Sequence, residues 1–256
     1  MNFHPLWHLR KHSAFRWATR SIRINVGVRI KNVDHKVYVD LLRNPSLVGS
    51  PNEYERQDLD LMIDMIDRLH LRQMFDIGAN LGIYAFSFSA AAKDGRVVAF
   101  EPDVVNANLF NKTNARCPRR NVLLEQKVVA ENPGSVTFFI DDVSGATGSI
   151  HVRESTFNER NYKCSPPRTT MAATTIDEAA HKFFPPDFIK IDVEGAELEV
   201  LKGGRQTLLN ARPIMLIEIG SDGDPQSVRE FLDEVDYGMR PASNPNYLAY
   251  PRNAAL

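Results

Sequence analysis

Two carboxylates, Asp76 and Glu101, each stand at the end of a short apolar run, and the residues around them could build one binding site. Asp76 sits in Met74-Phe75-Asp76-Ile77, which passes through Gly78-Ala79-Asn80-Leu81-Gly82 into the apolar Ile83-Tyr84-Ala85-Phe86. The pattern predicts a strand, a tight turn and the start of a helix. Glycine lets the backbone approach a ligand where a Cβ would collide, and the free amides of a helix start suit a polar or anionic group. Glu101 closes a second run, Val97-Val98-Ala99-Phe100, and is followed by Pro102. A carboxylate at the tip of the neighbouring strand can accept hydrogen bonds from two ribose hydroxyls. A glycine turn between strand and helix is common in α/β proteins and alone does not make a site. With Glu101 at this spacing, Asp76, Gly78, Asn80, Gly82, Glu101 and Pro102 describe a nucleoside site.

The type of nucleoside follows from charge. The dinucleotide fingerprint needs three glycines, and only Gly78 and Gly82 are present, with Asp76 where a pyrophosphate would meet a negative charge. S-adenosylmethionine brings an α-amino group, a ribose and a sulfonium without a phosphate, and matches that carboxylate better.

A second stretch carries the candidate chemistry: Asp187-Phe188-Ile189-Lys190-Ile191-Asp192-Val193-Glu194-Gly195-Ala196-Glu197. A central strand of a doubly wound sheet is apolar on both faces because helices cover both. Period-two alternation here sets Phe188, Lys190 and Asp192 on one side, so two charges face a buried layer. Unpaired burial would cost several kcal/mol, so these charges must pair, bind something or reach the open end. Asp192 and Glu194 fall at the carboxyl end, where ligands bind in such sheets. The next run, Ile214-Met215-Leu216-Ile217-Glu218-Ile219, carries one acid near its end, which an adjacent strand would bring beside Lys190 and Asp192. The plainer reading is a structural ion pair about Lys190. The chemical one has two routes for an alcohol acceptor: a base, either Lys190 if burial removes its proton or one of Asp192, Glu194 and Glu218, or Mg²⁺ held by Asp192 with Glu194 or Glu218. The metal-free base is preferred, because a few strand-end carboxylates are a weak metal signal.

The elements that must position these residues are legible as alternating periods. Apolar positions 59, 62, 63, 66 and 69 predict a helix over 53–71 with Asn52 as N-cap. Tyr54 and Glu55, at its start, overhang the pocket or form a capping pair. Strands are predicted at 37–42, 74–77, 96–101, 121–129 and 135–140, with helices at 83–92 and 104–115. The stretch 141–172 is rich in Gly, Ser, Thr and Pro and reads as a long loop, in which His151 is an isolated, solvated histidine. Thr175-Ile176-Asp177-Glu178 reads as a helix cap, Leu198, Leu201, Leu208 and Leu209 as the apolar side of one helix, and 236–240 with 246–250 as a closing hairpin joined by Ser243-Asn244-Pro245-Asn246.

Lys and Arg total 31 and Asp and Glu 32, so no global field attracts nucleic acid or membrane. Residues 1–33 are an exception, with no acid and interleaved Trp7, Phe15, Trp17, Ile22 and Ile24. That arm reads as a basic terminal helix docked on its own protein, with peripheral contact to an anionic membrane or a transit-like leader as alternatives. No run reaches the roughly twenty apolar residues of a spanning helix, and a cytoplasmic protein is expected. Cys117 and Cys164 show no ligand spacing and read as ordinary thiols.

Asp76-Ile77-Gly78-Ala79-Asn80-Leu81-Gly82, Phe100-Glu101-Pro102, Thr175-Ile176-Asp177, the run Ile189 to Glu197 with Val200-Leu201-Lys202-Gly203-Gly204, and Leu216-Ile217-Glu218 together resemble the FkbM family of methyltransferases, in that family's order. The resemblance covers about residues 50–250, and its Lys-Ile-Asp-Val-Glu-Gly segment is more specific than the glycine turn. It implies an α/β, class I methyltransferase Rossmann-like fold, a seven-stranded mostly parallel sheet with helices on both faces, S-adenosylmethionine as donor, and O-methylation of a hydroxyl on a sugar, glycan or natural product. By that resemblance Asp76, Gly78, Asn80 and Gly82 hold the methionine part and Glu101 the ribose, while Lys190 to Glu194 and Glu218 face the reaction centre. Residues 1–50 then form a basic extension and 51–256 the methyltransferase domain. The segments 1–36 and 153–170 have no family counterpart and are where acceptor choice is expected to reside. The implied partner is a small-molecule or glycan acceptor rather than nucleic acid, since no base-flipping Asn-Pro-Pro-Tyr motif is present. The competing readings are a nucleotide-sugar- or NAD-dependent oxidoreductase, weakened by the missing glycine and the absence of a Tyr-x-x-x-Lys pair, and a cofactor-binding scaffold without activity.

Overall fold

The runs that end in Asp76 and Glu101 form neighbouring parallel strands, and the rest of the main sheet is laid down on either side of them. The computed structural model describes residues 22–53, 55–142, 144–151, 165–220 and 223–254. In chain order the elements are β1 (Asn25–Arg29), β2 (Lys36–Asp40), α1 (Pro45–Gly49), α2 (Arg56–Leu69), β3 (Gln73–Ile77), α3 (Ile83–Ala91), β4 (Arg96–Phe100), α4 (Val104–Asn114), β5 (Val122–Glu125), β6 (Val128–Val129), β7 (Gly134–Phe139), β8 (Arg168–Thr174), α5 (Ile176–Lys182), β9 (Phe188–Ile191), α6 (Glu197–Lys202), α7 (Arg205–Asn210), β10 (Ile214–Glu218), α8 (Pro225–Glu234), β11 (Tyr237–Pro241) and β12 (Asn246–Pro251).

Seven strands make the main sheet in the order β11-β12-β10-β9-β3-β4-β5. All pairings from β10 to β5 are parallel, and β12 runs antiparallel between β10 and β11. This is the class I methyltransferase arrangement, an α/β fold with helices on both faces. The chain starts the sheet at β3, builds outward to β4 and β5, then returns to β9 on the other side of β3. The crevice of such sheets opens where the order reverses, here at the carboxyl ends of β3 and β9.

Each face of the sheet has its own apolar cluster. Met74, Phe188, Leu216 and Leu248 pack with Leu59, Met62 and Ile66 of α2 and Ala85, Phe86 and Phe88 of α3. Phe75, Ile189, Ile191, Met215 and Ile217 pack on the opposite face with Ile176 of α5, Leu201 of α6 and Leu232 of α8. The alternation read along Phe188 to Asp192 is therefore realised, with Lys190 on the α2–α3 side. Asp103 caps α4 by accepting from the amides of Val105 and Asn106, both at 2.9 Å. Thr175 caps α5 through the Glu178 amide at 3.0 Å, as its sequence predicts.

Several boundaries differ from the sequence reading. Helix α2 starts at Arg56 rather than 53, and Asn52 does not cap it: its Oδ1 accepts from the Lys31 amide at 2.9 Å. The predicted strand 121–129 is broken into β5 and β6, and the second piece pairs with β8 in a separate three-stranded sheet, β6-β8-β7. The long loop ends earlier than its composition suggests, because Arg168–Thr174 pairs antiparallel with β7. The helix carrying Leu198 to Leu209 is two helices split at Gly203-Gly204. A Cβ on Gly203 would lie 2.2 Å from the Ala130 carbonyl oxygen, and Leu209 is 41% exposed. Within the basic arm, residues Asn25–Arg29 are a strand paired with β2 instead of helix, because Val26 and Val28 alternate with outward residues and pack on the core. The rest of that arm, residues 1–21 with its aromatic and membrane-contact reading, lies outside the described residues, as do Tyr54, 153–164 and Cys164. Cys117 is a buried free thiol. Among the described residues no helix is long and apolar enough to cross a membrane.

Candidate active site

The crevice at the ends of β3, β4 and β9 holds about 660 Å³ of unfilled space, its open mouth included. Gly78, Asn80, Glu101 and Pro102 line it from one side and Asp192 and Glu194 from the other. Of the residues named from sequence, Asp76, Gly82, Lys190, Glu218 and His151 are not part of its lining.

The turn after β3 is built for close approach. Gly78 has φ +78°, and a Cβ there would lie 1.7 Å from the Asp192 carbonyl oxygen. Its amide and that of Ala79 donate to the Phe100 carbonyl at 3.0 and 2.9 Å, which fixes the turn to β4. Gly82 answers to packing instead: a Cβ there would strike the rings of Phe110 and Phe86 at 2.5 and 2.6 Å. Asn80 and Glu194 also hold left-handed backbone, φ 51° and 54°. For non-glycine residues such backbone costs of order 1–3 kcal/mol and gathers at functional sites.

Glu101 is 5% exposed and tied at both oxygens, to the amides of Asn80 and Asp103, each at 2.7 Å. Each carboxylate oxygen keeps a second lone pair for a ligand hydroxyl. Burial, with the charge of Asp103, pushes its pKa up to about 8 against those two amides. Asp76 is deeper, 1% exposed, with Oδ2 accepting from the Ala85 amide at 2.9 Å. Its carboxylate anchors the start of α3 beneath the crevice. Burial raises it to about 7 despite the charge of Lys190.

The buried cluster behind Asp192 is where the charges of the sequence converge. The register sets Lys190 beside Leu216, two residues before Glu218, and Glu218 beside Asn246 of β12. Lys190 Nζ lies 3.1 Å from Asn246 Oδ1, 3.5 Å from Glu218 Oε2 and 3.9 Å from Asp192 Oδ2, with the Tyr84 ring centroid at 5.3 Å. The expectation that burial would free the Lys190 amine of its proton is reversed. Burial does act that way, but the charges of Asp192, Glu55, Glu218 and Asp76 outweigh it and hold the pKa above the usual amine range. Lys190 is an ammonium and cannot be the base. Burial and the charges of Glu218 and Glu55 push Asp192 up to about 7 despite Lys190, and burial raises Glu218 as well. The Mg²⁺ reading is not supported either. Among the described residues no group of three or more His, Cys, Asp or Glu side chains could hold a metal ion, and the ammonium stands where Asp192 and Glu218 converge.

Sequence reasoning missed several members of the site. Asn246 and Asp58 are both buried, 3% and 2% exposed, and joined by Asn246 Nδ2 to Asp58 Oδ2 at 3.0 Å. Glu55, weighed beforehand as an overhanging residue or a cap, precedes α2 at φ 46° without a side-chain capping bond, and its charge acts on Asp76, Lys190, Asp192 and Glu218. Asp141 organises a strap across the crevice. Its carboxylate accepts from Ser144, from the Ala146 amide at 3.2 Å and from the Thr147 hydroxyl at 3.1 Å. The Gly145 carbonyl of that strap accepts from Asn106 Nδ2 at 2.8 Å, and Ser149 Oγ donates to the Glu194 carbonyl at 2.8 Å. Arg43 braces it from behind, with Nη2 donating to Asp103 at 3.1 Å and to the Asp141 carbonyl at 2.9 Å. The Asp-x-x-Ser spacing of 141–144 is a turn signal that could have located it. His151 pairs with Glu199, its Nε2 at 3.1 Å from Oε1 and its side chain 37% exposed. Replacing Asp141 by Ala should leave several strap donors without their acceptor. We expect stability to fall by about 1–3 kcal/mol, and amide exchange at 144–147 to quicken far more than in α2 or β9, as read by hydrogen-exchange mass spectrometry.

Comparison with known proteins gives the following. The methyltransferase FkbM domain model matches residues 76–239, more than half of the chain. The hexuronic acid methyltransferase AglP of Haloferax volcanii is 29% identical over 165 residues, 63% of this chain and 61% of that protein. The aligned part thus spans about three fifths of the length of that curated relative. Among solved structures, the methyltransferase FkbM of Methylobacillus flagellatus KT superposes with TM-score 0.49 at 20% identity, covering 70% of this chain and 43% of that one. The precorrin-6y C5,15-methyltransferase of Geobacter metallireducens superposes with TM-score 0.45 at 16% identity, covering 74% and 86%.

Proposed function

The chain belongs to the FkbM methyltransferase family, and from that premise we propose that it is an S-adenosylmethionine-dependent O-methyltransferase acting on a hydroxyl of a sugar or glycan. The observation that carries this reading is that Glu101 and Asp192 line one crevice with Gly78, where a side chain would collide with the Asp192 carbonyl. The sugar reading is supported by the relative from Haloferax volcanii, a hexuronic acid methyltransferase.

When bound, S-adenosylmethionine would supply an electrophilic methyl group on its sulfonium, with the neutral thioether as the leaving group and the acceptor oxygen as the nucleophile. The residues of this chain do the rest. Glu101 takes the ribose hydroxyls on its free lone pairs, and the bare turn at Gly78 and Asn80 allows the close approach. Asp192, with a pKa of about 7, is matched to accept the acceptor's hydroxyl proton near neutral pH. As the new carbon–oxygen bond forms and the carbon–sulfur bond breaks, that proton passes to its carboxylate. Lys190 stays protonated throughout and keeps the like charges of Asp192 and Glu218 side by side. Glu194 and the strap residues 144–149 cover the reacting groups and exclude water.

Saturating S-adenosylmethionine should raise the melting temperature by about 5–10 °C, from roughly 2.7 kcal/mol of linkage at a hundredfold excess over Kd and roughly 2–4 °C per kcal/mol at this chain length. NAD should give no shift. Glu101→Ala should weaken donor binding by about 100-fold, the size of two lost hydrogen bonds, with the fold retained. A shift with NAD alone would move the reading to the oxidoreductase. Donor binding without methyl transfer to any sugar of a cell extract would leave a scaffold.

A further inference from the structure

We propose that Asn246, itself held by Asp58, is the positioning residue that fixes the Lys190 ammonium between Asp192 and Glu218. This rests on the methyl-transfer reading above and extends it to residues that touch neither donor nor acceptor.

The argument is one of direction. Among the described residues, the charged groups that act on Lys190 are carboxylates: Asp192 beyond the end of β9, Glu55 before α2, Glu218 on β10 and Asp76 on β3. An ammonium among several carboxylates has no unique orientation, because each pulls along its own line. The shortest contact is to a neutral amide, Asn246 Oδ1 at 3.1 Å, against 3.5 Å for Glu218 and 3.9 Å for Asp192. Asn246 adds no charge, so balancing charge is not its contribution. It supplies a fixed acceptor on the one side where a further carboxylate would pull the ammonium away from Asp192.

The amide can sit only one way round. Lysine donates and cannot accept, while the carboxylate of Asp58 accepts. Oδ1 must therefore face Lys190 and Nδ2 must face Asp58, and both contacts are made, at 3.1 and 3.0 Å. An aspartate at 246 would lack the donor and a leucine would lack both groups. The same Asp58 oxygen also accepts from Ser243 Oγ, so the turn before β12 is locked to the first turn of α2 at the point where Lys190 reads it. The antiparallel register sets Asn246 beside Glu218, which completes the cradle.

A purely structural role, in which Asn246 only ties the β11–β12 hairpin to α2, predicts a different outcome. The test uses the full chain with labelled S-adenosylmethionine and the acceptor pool of a cell extract, and reads turnover, donor affinity and melting temperature. Asn246→Ala should lower turnover at saturating donor by about 10–100-fold, within the range of a general-base contribution, with donor affinity within about twofold. Asp58→Asn keeps an acceptor for Asn246 and should retain clearly more turnover than Asp58→Ala, which should behave like Asn246→Ala and replaces it should that variant not fold. In the Lys190→Met background Asn246→Ala should cost almost nothing more, since a residue that acts through Lys190 has nothing left to act on. Additive losses in that background, an unchanged turnover, or a lowered melting temperature with turnover intact would each overturn the proposal. A parent chain that binds no donor and transfers no methyl would overturn the reading beneath it. A parent that transfers normally beside an unaffected Asn246→Ala overturns the proposal alone.

Discussion

Gly78→Ala should lower stability by about 3–5 kcal/mol, the range of severe single substitutions, and remove donor binding entirely. Two effects add. The left-handed backbone at φ +78° costs an alanine about 1–2 kcal/mol. The larger effect is steric, since the new methyl would lie 1.7 Å from the Asp192 carbonyl oxygen. That oxygen is backbone and cannot swing aside as a side chain would. Either β3 or the end of β9 must move, and the two are paired in register from Met74 with Phe188 to Ile77 with Ile191, closed by the Asp192 amide on the Ile77 carbonyl at 3.0 Å. A shift there separates Glu101 from Asp192, the two sides of the crevice. Calorimetry should show a fall in melting temperature of about 10 °C, and titration with S-adenosylmethionine should show no heat. A variant that melts as the parent does and binds donor would mean that the strand ends are looser than their hydrogen bonds imply. Gly82→Ala is the control, because its clash is with the rings of Phe110 and Phe86, away from the crevice: it should cost stability while leaving donor affinity per folded molecule intact.

The contrast between these glycines also marks how far sequence reaches. Both were readable as turn glycines, because a short apolar run followed by glycine and asparagine has few other solutions. Their reasons were not, because a clash with a carbonyl 114 positions away exists only once β9 lies beside β3. The charged face of Phe188 to Asp192 was legible for the same local reason: strand alternation has period two, and a lysine in an otherwise apolar strand stands out. What surrounds Lys190 was partly legible. Glu218 could be placed by assuming neighbouring strands, but Asn246 reads as an ordinary turn residue in Ser243-Asn244-Pro245-Asn246, and Asp58 as an acid near a helix start. Their meaning lies in the β10–β12 register and in the packing of α2 on the sheet, which no local pattern encodes. The same holds for the protonation of Lys190. From one strand, burial alone argues for a neutral amine; the charge of Asp192, together with those of Glu55 before α2, Glu218 on β10 and Asp76 on β3, reverses the sign. Helix boundaries missed for a simpler reason, since Gly203-Gly204 splits a helix through its contacts with Ala130 and Ile176, while the apolar period runs on undisturbed.

Lys190→Met should separate the structural from the catalytic work of that cluster through its dependence on pH. Methionine matches the volume of the buried stem and removes the ammonium, which leaves Asp76, Asp192, Glu218 and Glu55 without their counter-charge. Even with Lys190 present, burial raises Asp76 and Asp192 from the ordinary 3.8 to about 7. A carboxyl whose folded pKa is raised contributes stability at low pH that is lost as pH rises through the folded value, because the unfolded chain has already released its proton. From these two groups the parent should therefore lose stability between about pH 4 and pH 7, and Glu101, at about 8, continues a shallower decline above that. Without the ammonium these pKa values move higher still, so the decline continues past pH 7 and is steeper. At pH 5 the variant should lie within about 1 kcal/mol of the parent, and at pH 8 about 3–5 kcal/mol below it, the cost of stranding one side of a buried ion cluster. Urea titrations at the two pH values measure this directly. Turnover should fall by about 100-fold even at pH 6, where the variant is folded, because Asp192 without its neighbouring cation keeps its proton and cannot accept another. Equal destabilisation at pH 5 and pH 8 would mean that the ammonium serves packing rather than charge. Undiminished turnover at pH 6 would take Lys190 out of the reaction altogether and return this cluster to the plain buried ion pair.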